Sequence, residues 1–137
     1  MCGIVGFVGD INNPFEKLNK AISKLNRRGP DANGYFLDEV NKVYLGHTRL
    51  SILDLSNKSN QPFIKNKNVI CFNGEIYNHI NIRERYFNNY KFETNSDTET
   101  LIVCLNEYGL EKTLSLIEGM YVFIFYNFEE NKIYIAR

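Results

Sequence analysis

The second residue of the chain is a cysteine, and it carries the first chemistry the sequence suggests. Once Met1 is removed, Cys2 holds a thiol and a free α-amino group on one residue, so nucleophile and base are covalently joined. An α-amine titrates at about 7.7–8.0 and is half neutral near physiological pH, whereas a lysine at about 10.4 is charged and useless as a base. The plain alternative is a small apolar residue that happens to follow Met1. Further on, Asn73-Gly74 closes an apolar run and, taken alone, reads as a tight-turn dipeptide. Ser96-Asp97-Thr98-Glu99 has the spacing of a capping box, with Asp97 a favourable charge at a helix N-terminus. His47 and His79 suit cysteine–histidine catalysis, but an α-amine makes a histidine base unnecessary and both read as structural. Cys71 and Cys104 fall in apolar patterns and read as core.

The elements that must position these groups follow from periodicity. Ile4–Val8 reads as a buried first strand ending at Gly9-Asp10. Asn13 as cap, Pro14 at the first helical position and Glu16 reaching back open a helix that carries Leu18, Ile22 and Leu25 and stops near Arg27. Arg28 to Gly34 reads as a turn-rich loop, followed by strands at Tyr35–Leu37, Val43–Gly46 and Ser51–Leu53. Val69–Phe72 is a buried strand, and a helix from about Asn78 to Tyr86 follows. The helix opened by Ser96 ends at Gly109, with a short helical piece around Leu114–Ile117. Met120–Tyr126 and Lys132–Ile135 form a hairpin across Asn127–Asn131. The pattern is α+β, with helices covering antiparallel sheet. Ala136-Arg137 falls inside a strand pattern with no polar tail, which predicts a domain truncated at its C-terminus.

Composition narrows the function. A chain of 137 residues is one domain with room for a real core. Sixteen basic residues balance sixteen acidic ones, so no net field draws nucleic acid or an anionic membrane. Three widely spaced cysteines without a C-x-x-C pair suggest neither a disulfide framework nor a zinc site, and a reducing cytoplasm is the expected compartment. No apolar run approaches membrane-spanning length.

Taken together, the runs Met1-Cys2-Gly3-Ile4-Val5-Gly6, Arg28-Gly29-Pro30-Asp31, His47-Thr48-Arg49-Leu50-Ser51-Ile52, Gln61-Pro62, Phe72-Asn73-Gly74-Glu75-Ile76-Tyr77-Asn78-His79, Ser96-Asp97-Thr98-Glu99 and Glu118-Gly119-Met120 resemble one family. It is the class II glutamine amidotransferase domain, and the likeness is strongest to the N-terminal half of glutamine-dependent asparagine synthetase. Each run is weak alone; the ordered set, from end to end of the chain, is specific. Glucosamine-phosphate synthase and amidophosphoribosyltransferase share the Cys-Gly-Ile opening, but the Arg-Gly-Pro-Asp loop, the Arg-Leu-Ser-Ile run and Asn-Gly-Glu-Ile-Tyr-Asn look like the asparagine-synthetase branch.

The resemblance implies a four-layer α/β/β/α sandwich of two facing antiparallel sheets, as in N-terminal-nucleophile hydrolases. It makes residues 1–137 a type 2 glutamine amidotransferase domain, incomplete and without its synthetase domain. Cys2 is then the nucleophile, and Asn73 and Gly74 are the oxyanion donors, one through its side-chain amide and the other through an N–H unshielded by any Cβ. Arg49 matches the residue that holds the glutamine α-carboxylate, a task suited to a planar two-pronged donor. Glu75 and Asp97 match the positions that receive the α-ammonium, and Leu50, Ile52 and Leu53 supply backbone groups and apolar wall. The expected substrate is L-glutamine, the expected partner a synthetase domain or subunit that takes the ammonia, and a homo-oligomer is compatible. The glutaminase step needs no cofactor. ATP and magnesium belong to the missing synthetase domain, since no Ser-Gly-Gly-x-Asp-Ser or Walker-type loop occurs here. A non-catalytic truncated fragment or binding module, a glutaminase with a different acceptor, and a hydrolase of some other amide are the alternatives.

Overall fold

The computed structural model describes residues 1–137. Its elements are β1 (Gly3–Val8), α1 (Pro14–Leu25), β2 (Ala32–Asp38), β3 (Val43–Arg49), a 3-10 turn (Asn57–Ser59), β4 (Phe63–Lys65), β5 (Asn68–Ile76), α2 (His79–Tyr86), α3 (Asp97–Leu116), β6 (Gly119–Asn127) and β7 (Lys132–Ala136). One sheet has the order β1-β3-β2 and the other β4-β5-β6-β7, and every pairing is antiparallel. Helix α1 packs on the first sheet, α3 on the second with α2 beside it, and β1 and β3 meet β5 across the middle. The result is the expected α/β/β/α layering.

The period of two along each strand decides what faces the seam between the sheets. On β5, Ile70 and Phe72 join the core under α2 and α3, with Ile76, Ile82, Leu101, Ile102 and Phe123. Val69 and Cys71 point the other way and pack with Val43, Leu45 and Tyr126 between the sheets. Asn73 and Glu75 continue the odd register, so β5 carries them toward the seam. His47 and Arg49 follow Val43 and Leu45 on β3, and Cys2 lies in register with Ile4, which packs into the same inter-sheet cluster. At the far end of the seam the Tyr126 hydroxyl donates to Asp38 Oδ2 at 2.9 Å, joining the two sheets.

Several sequence expectations need correction. Ser51–Leu53 is loop rather than strand, because β3 exhausts its partners: Thr48 pairs with Gly3 at the start of β1, and Arg49 with Ala32 at the start of β2. The turn-rich segment ends earlier than expected, since Ala32–Gly34 already pair with β3. Gly34 is required there, as a Cβ would lie 1.9 Å from the Gln61 carbonyl oxygen. Asn13 does not cap α1; it adopts a left-handed conformation with φ 52° and makes no side-chain cap, while Glu16 accepts from Lys20 instead of reaching back. Ser96 caps α3 by accepting from Thr98 N at 3.1 Å, but Glu99 does not complete the box, and the Ser96 N–H goes to Thr94 Oγ1. Asn73-Gly74 lies within β5, not in a turn. Strand β4 was not foreseen; it joins β5 through Asn66 and Lys67, both at positive φ as a primed hairpin turn requires. The helix break at Gly109, with φ 72°, and the β6–β7 hairpin are as the sequence predicts.

Candidate functional site

All nine predicted residues line a single cleft of about 700 Å³ at the end of the seam: Cys2, Arg49, Leu50, Ile52, Leu53, Asn73, Gly74, Glu75 and Asp97. They come from the residue just before β1, the end of β3 and its following loop, β5 and the N-terminus of α3.

Cys2 is partly buried, and its backbone nitrogen donates to Asn73 Oδ1 at 2.9 Å. With Met1 in place that nitrogen is a peptide N–H; in a processed chain it is the α-amine. It is a donor when in peptide or ammonium form, so the Asn73 carboxamide presents its oxygen to Cys2 and its NH2 away from it. That NH2 has no protein partner. The Cys2 sulfur lies against the β3 end, where Leu50 N–H donates to it at 3.4 Å. Arg28 Nε donates to the Cys2 carbonyl at 3.0 Å and fixes the terminus from the other side. At Gly74 any Cβ would lie 2.2 Å from the Met120 carbonyl oxygen, so the approach of β6 already demands glycine there.

Arg49, the last residue of β3, is buried rather than at the surface. It is 6% exposed, and its Nη1 donates to Ser56 O at 2.9 Å and Asn60 Oδ1 at 2.8 Å, while Nη2 reaches Asp54 O. The guanidinium therefore folds the loop after β3 around itself before any ligand arrives. That loop is further tied by Asp31 Oδ2, which accepts from Ser51 N at 2.7 Å. Ile52 and Leu53 sit on it at 68% and 43% exposure, as open rim rather than buried wall.

Asp97 is 5% exposed and accepts from Ile76 N at 3.0 Å. Burial raises its carboxyl above the ordinary range, and the neighbouring Glu75 charge adds to the rise despite the backbone N–H groups that oppose it. Glu75 is exposed at the cleft. The two carboxylates and Arg49 thus put opposite charges around one space.

The loop leading to Asp97 is held by a buried carboxylate the sequence reading took only as a helix cap. Glu99, at 0% exposure, accepts from Glu93 N at 3.1 Å, Thr94 N at 2.7 Å, Thr94 Oγ1 at 2.8 Å and Lys65 Nζ at 2.8 Å. Burial pushes the Glu99 carboxyl up, but Lys65 and these donors outweigh it, and it titrates below the usual carboxylate range. Arg83 donates to the Thr94 and Ser96 carbonyls from α2, and Asp54 Oδ2 accepts from Asn95 N at 2.9 Å. Arg28 and Asp31 were legible only as part of their motif; nothing in their spacing from Cys2 announced these contacts. No group of three or more His, Cys, Asp or Glu side chains converges as a metal site. His47 is buried with Nε2 against the Phe72 carbonyl at 3.0 Å, and burial together with the Arg49 charge lowers its pKa to about 4, so it is neutral near pH 7. No helix is long and apolar enough to cross a membrane.

The chain is 38% identical over its whole length to asparagine synthetase [glutamine-hydrolyzing] 1 of Bacillus subtilis and 37% to asparagine synthetase B of Escherichia coli, covering 22% and 25% of those proteins. It is 33% identical to amidase chry2 of Gibberella zeae, of which it covers 22%. The chain thus spans about a quarter of the length of the curated relatives it matches. The glutamine amidotransferase domain model matches residues 1–137, and the chain belongs to that family.

Proposed function

We propose that the cleft hydrolyses L-glutamine to glutamate and ammonia through a thioester on Cys2. The observation that carries the reading is the pairing of Cys2 N with Asn73 Oδ1 at 2.9 Å, which brings the two residues together and leaves the Asn73 NH2 without a protein partner. In the processed chain the α-amine takes the thiol proton as sulfur attacks the side-chain amide carbon. The carbonyl oxygen becomes an oxyanion opposite the Asn73 NH2 and the Gly74 N–H. The tetrahedral adduct collapses by breaking its C–N bond, the amine returns the proton to the leaving nitrogen, and ammonia departs. Water then attacks the thioester with the amine again as base, releasing glutamate and restoring the thiol. Arg49 takes the α-carboxylate, and Asp97 with Glu75 takes the α-ammonium. Each step uses protein groups and water alone; ATP and magnesium belong to a partner synthetase domain.

The ammonia is then consumed by a synthetase domain or subunit, with aspartate as the acceptor, by likeness to relatives named asparagine synthetases. A different acceptor is the second reading, favoured by a relative named an amidase at 33% identity. The hydrolytic step is tested by ammonia release from glutamine with intact mass recorded. Processed protein should turn over, while Cys2→Ala and any species that keeps Met1 should not. Substantial turnover by Cys2→Ala refutes the thioester.

A further inference from the structure

Strand β5 runs to Ile76, but its neighbour β4 begins only at Phe63, opposite Ile70. Phe72, immediately before Asn73, therefore has no β4 partner. Two side chains take its backbone groups: Gln61 Oε1 accepts from Phe72 N at 2.6 Å, and His47 Nε2 donates to Phe72 O at 3.0 Å. A carbonyl only accepts, so His47 carries its proton on Nε2. Gln61 does a second thing, donating through Nε2 to Thr98 Oγ1 at 3.3 Å. Thr98 follows Asp97 in the first turn of α3.

We propose that Gln61 is a positioning residue whose carboxamide bridges β5 at Phe72–Asn73 to α3 at Asp97–Thr98, and so sets the distance between the oxyanion donors and the group that receives the substrate ammonium. The inference rests on the glutaminase reading for its kinetic consequences. Its structural basis is independent of that reading. Gln61 is 6% exposed, both ends of its amide are engaged, and both partners are buried elements of the site. A side chain that only filled space would need neither bond. Glutamine is bound at one end through its α-ammonium and attacked at the other, so a misplacement of about 1 Å between the two anchors is worth on the order of 10²-fold in rate.

Gln61→Met keeps the shape and loses both bonds. It should lower kcat by about ten- to a hundredfold and raise KM several-fold, whereas Gln61→Glu, which keeps an acceptor for Phe72 N and for the Thr98 hydroxyl, should restore most of both. Thr98→Val cuts only the helix side and should raise KM with kcat within about twofold. In an Asn73→Ala background the kcat loss from Gln61→Met should nearly vanish, because Gln61 acts through Asn73. The same fold-loss in both backgrounds, or unchanged KM in Thr98→Val, would overturn the bridge. If Gln61→Met does not fold, Thr98→Val still decides: amide resonances of Phe72 and Asn73 should shift with those of Asp97. Shifts confined to α3 refute the coupling. Those spectra need no turnover, so coupled shifts in a protein inert toward glutamine would sink the glutaminase reading and leave the bridge standing.

Discussion

Glu99→Gln changes one atom and no volume, yet it should be among the most damaging single substitutions available. Every group that faces the Glu99 carboxylate is a donor: Lys65 Nζ, Glu93 N, Thr94 N and Thr94 Oγ1. An amide NH2 in either orientation sets donor against donor and leaves Lys65, whose side chain is 11% exposed, without its buried counter-charge. Breaking one side of such a buried pair costs about 3–5 kcal/mol. For 137 residues the entropy of unfolding is about 0.29 kcal/mol per kelvin, so the melting temperature should fall by about 10–17 °C. The measurement is thermal unfolding by circular dichroism at pH 7. Since the folded carboxyl titrates below its unfolded value of about 4.3, its stabilisation is full above that value and is lost as pH falls through the folded one. The gap between wild type and Glu99→Gln should therefore be largest near neutrality and shrink below about pH 4.3. A loss under about 3 °C at pH 7, or a gap that does not narrow in acid, refutes the reasoning.

Asn73→Ala should lower turnover on glutamine by about 10²–10³ with a smaller change in KM, since an oxyanion donor acts mainly in the transition state; steady-state kinetics showing the reverse split removes that role. Arg49→Lys should weaken glutamine binding by about 1.5–3 kcal/mol for the lost charged contact and also loosen the loop that holds Asp54, Ser56 and Asn60, so proteolysis there should quicken as KM rises. Because burial raises the Asp97 carboxyl, the KM for glutamine should begin to climb, as pH falls, above the pH expected of an ordinary aspartate near 3.9. Asp97→Asn should flatten that limb, and a KM profile identical in both proteins would take Asp97 out of substrate binding.

The antiparallel pairing of most strands and the helix break at Gly109 follow from patterns the sequence displays, while the nine site residues are named through the family resemblance. Alternation along β5 is enough to send Asn73 opposite to Phe72, and the same alternation on β3 sends Arg49 after Val43 and Leu45. Illegible were the features fixed by partners far along the chain. That Ser51–Leu53 leaves the sheet depends on where β1 and β2 begin, which their own residues do not reveal to β3. That Glu99 ignores Ser96 depends on Lys65, 34 positions away, whose charge outbids a local backbone N–H. Arg49 shows the same limit, since the resemblance implies a carboxylate clamp but not the three loop oxygens it gathers first.

In the proposed reaction the nucleophile, Cys2, immediately precedes β1 of one sheet and the oxyanion donors, Asn73 and Gly74, lie on β5 of the other, so the attacking distance would be an inter-slab spacing. At the cleft the gap is spanned by the bond from Cys2 N to Asn73 Oδ1. Farther along, the space between the sheets is filled by Val43, Leu45, Val69, Cys71 and Tyr126, with the Tyr126–Asp38 bond clasping the opposite end. A methylene added or removed in that filling would tilt the slabs about the clasp and retune reactivity with every cleft residue unchanged. Substitution in this apolar layer is therefore a route by which one set of chemical groups can acquire a different turnover rate.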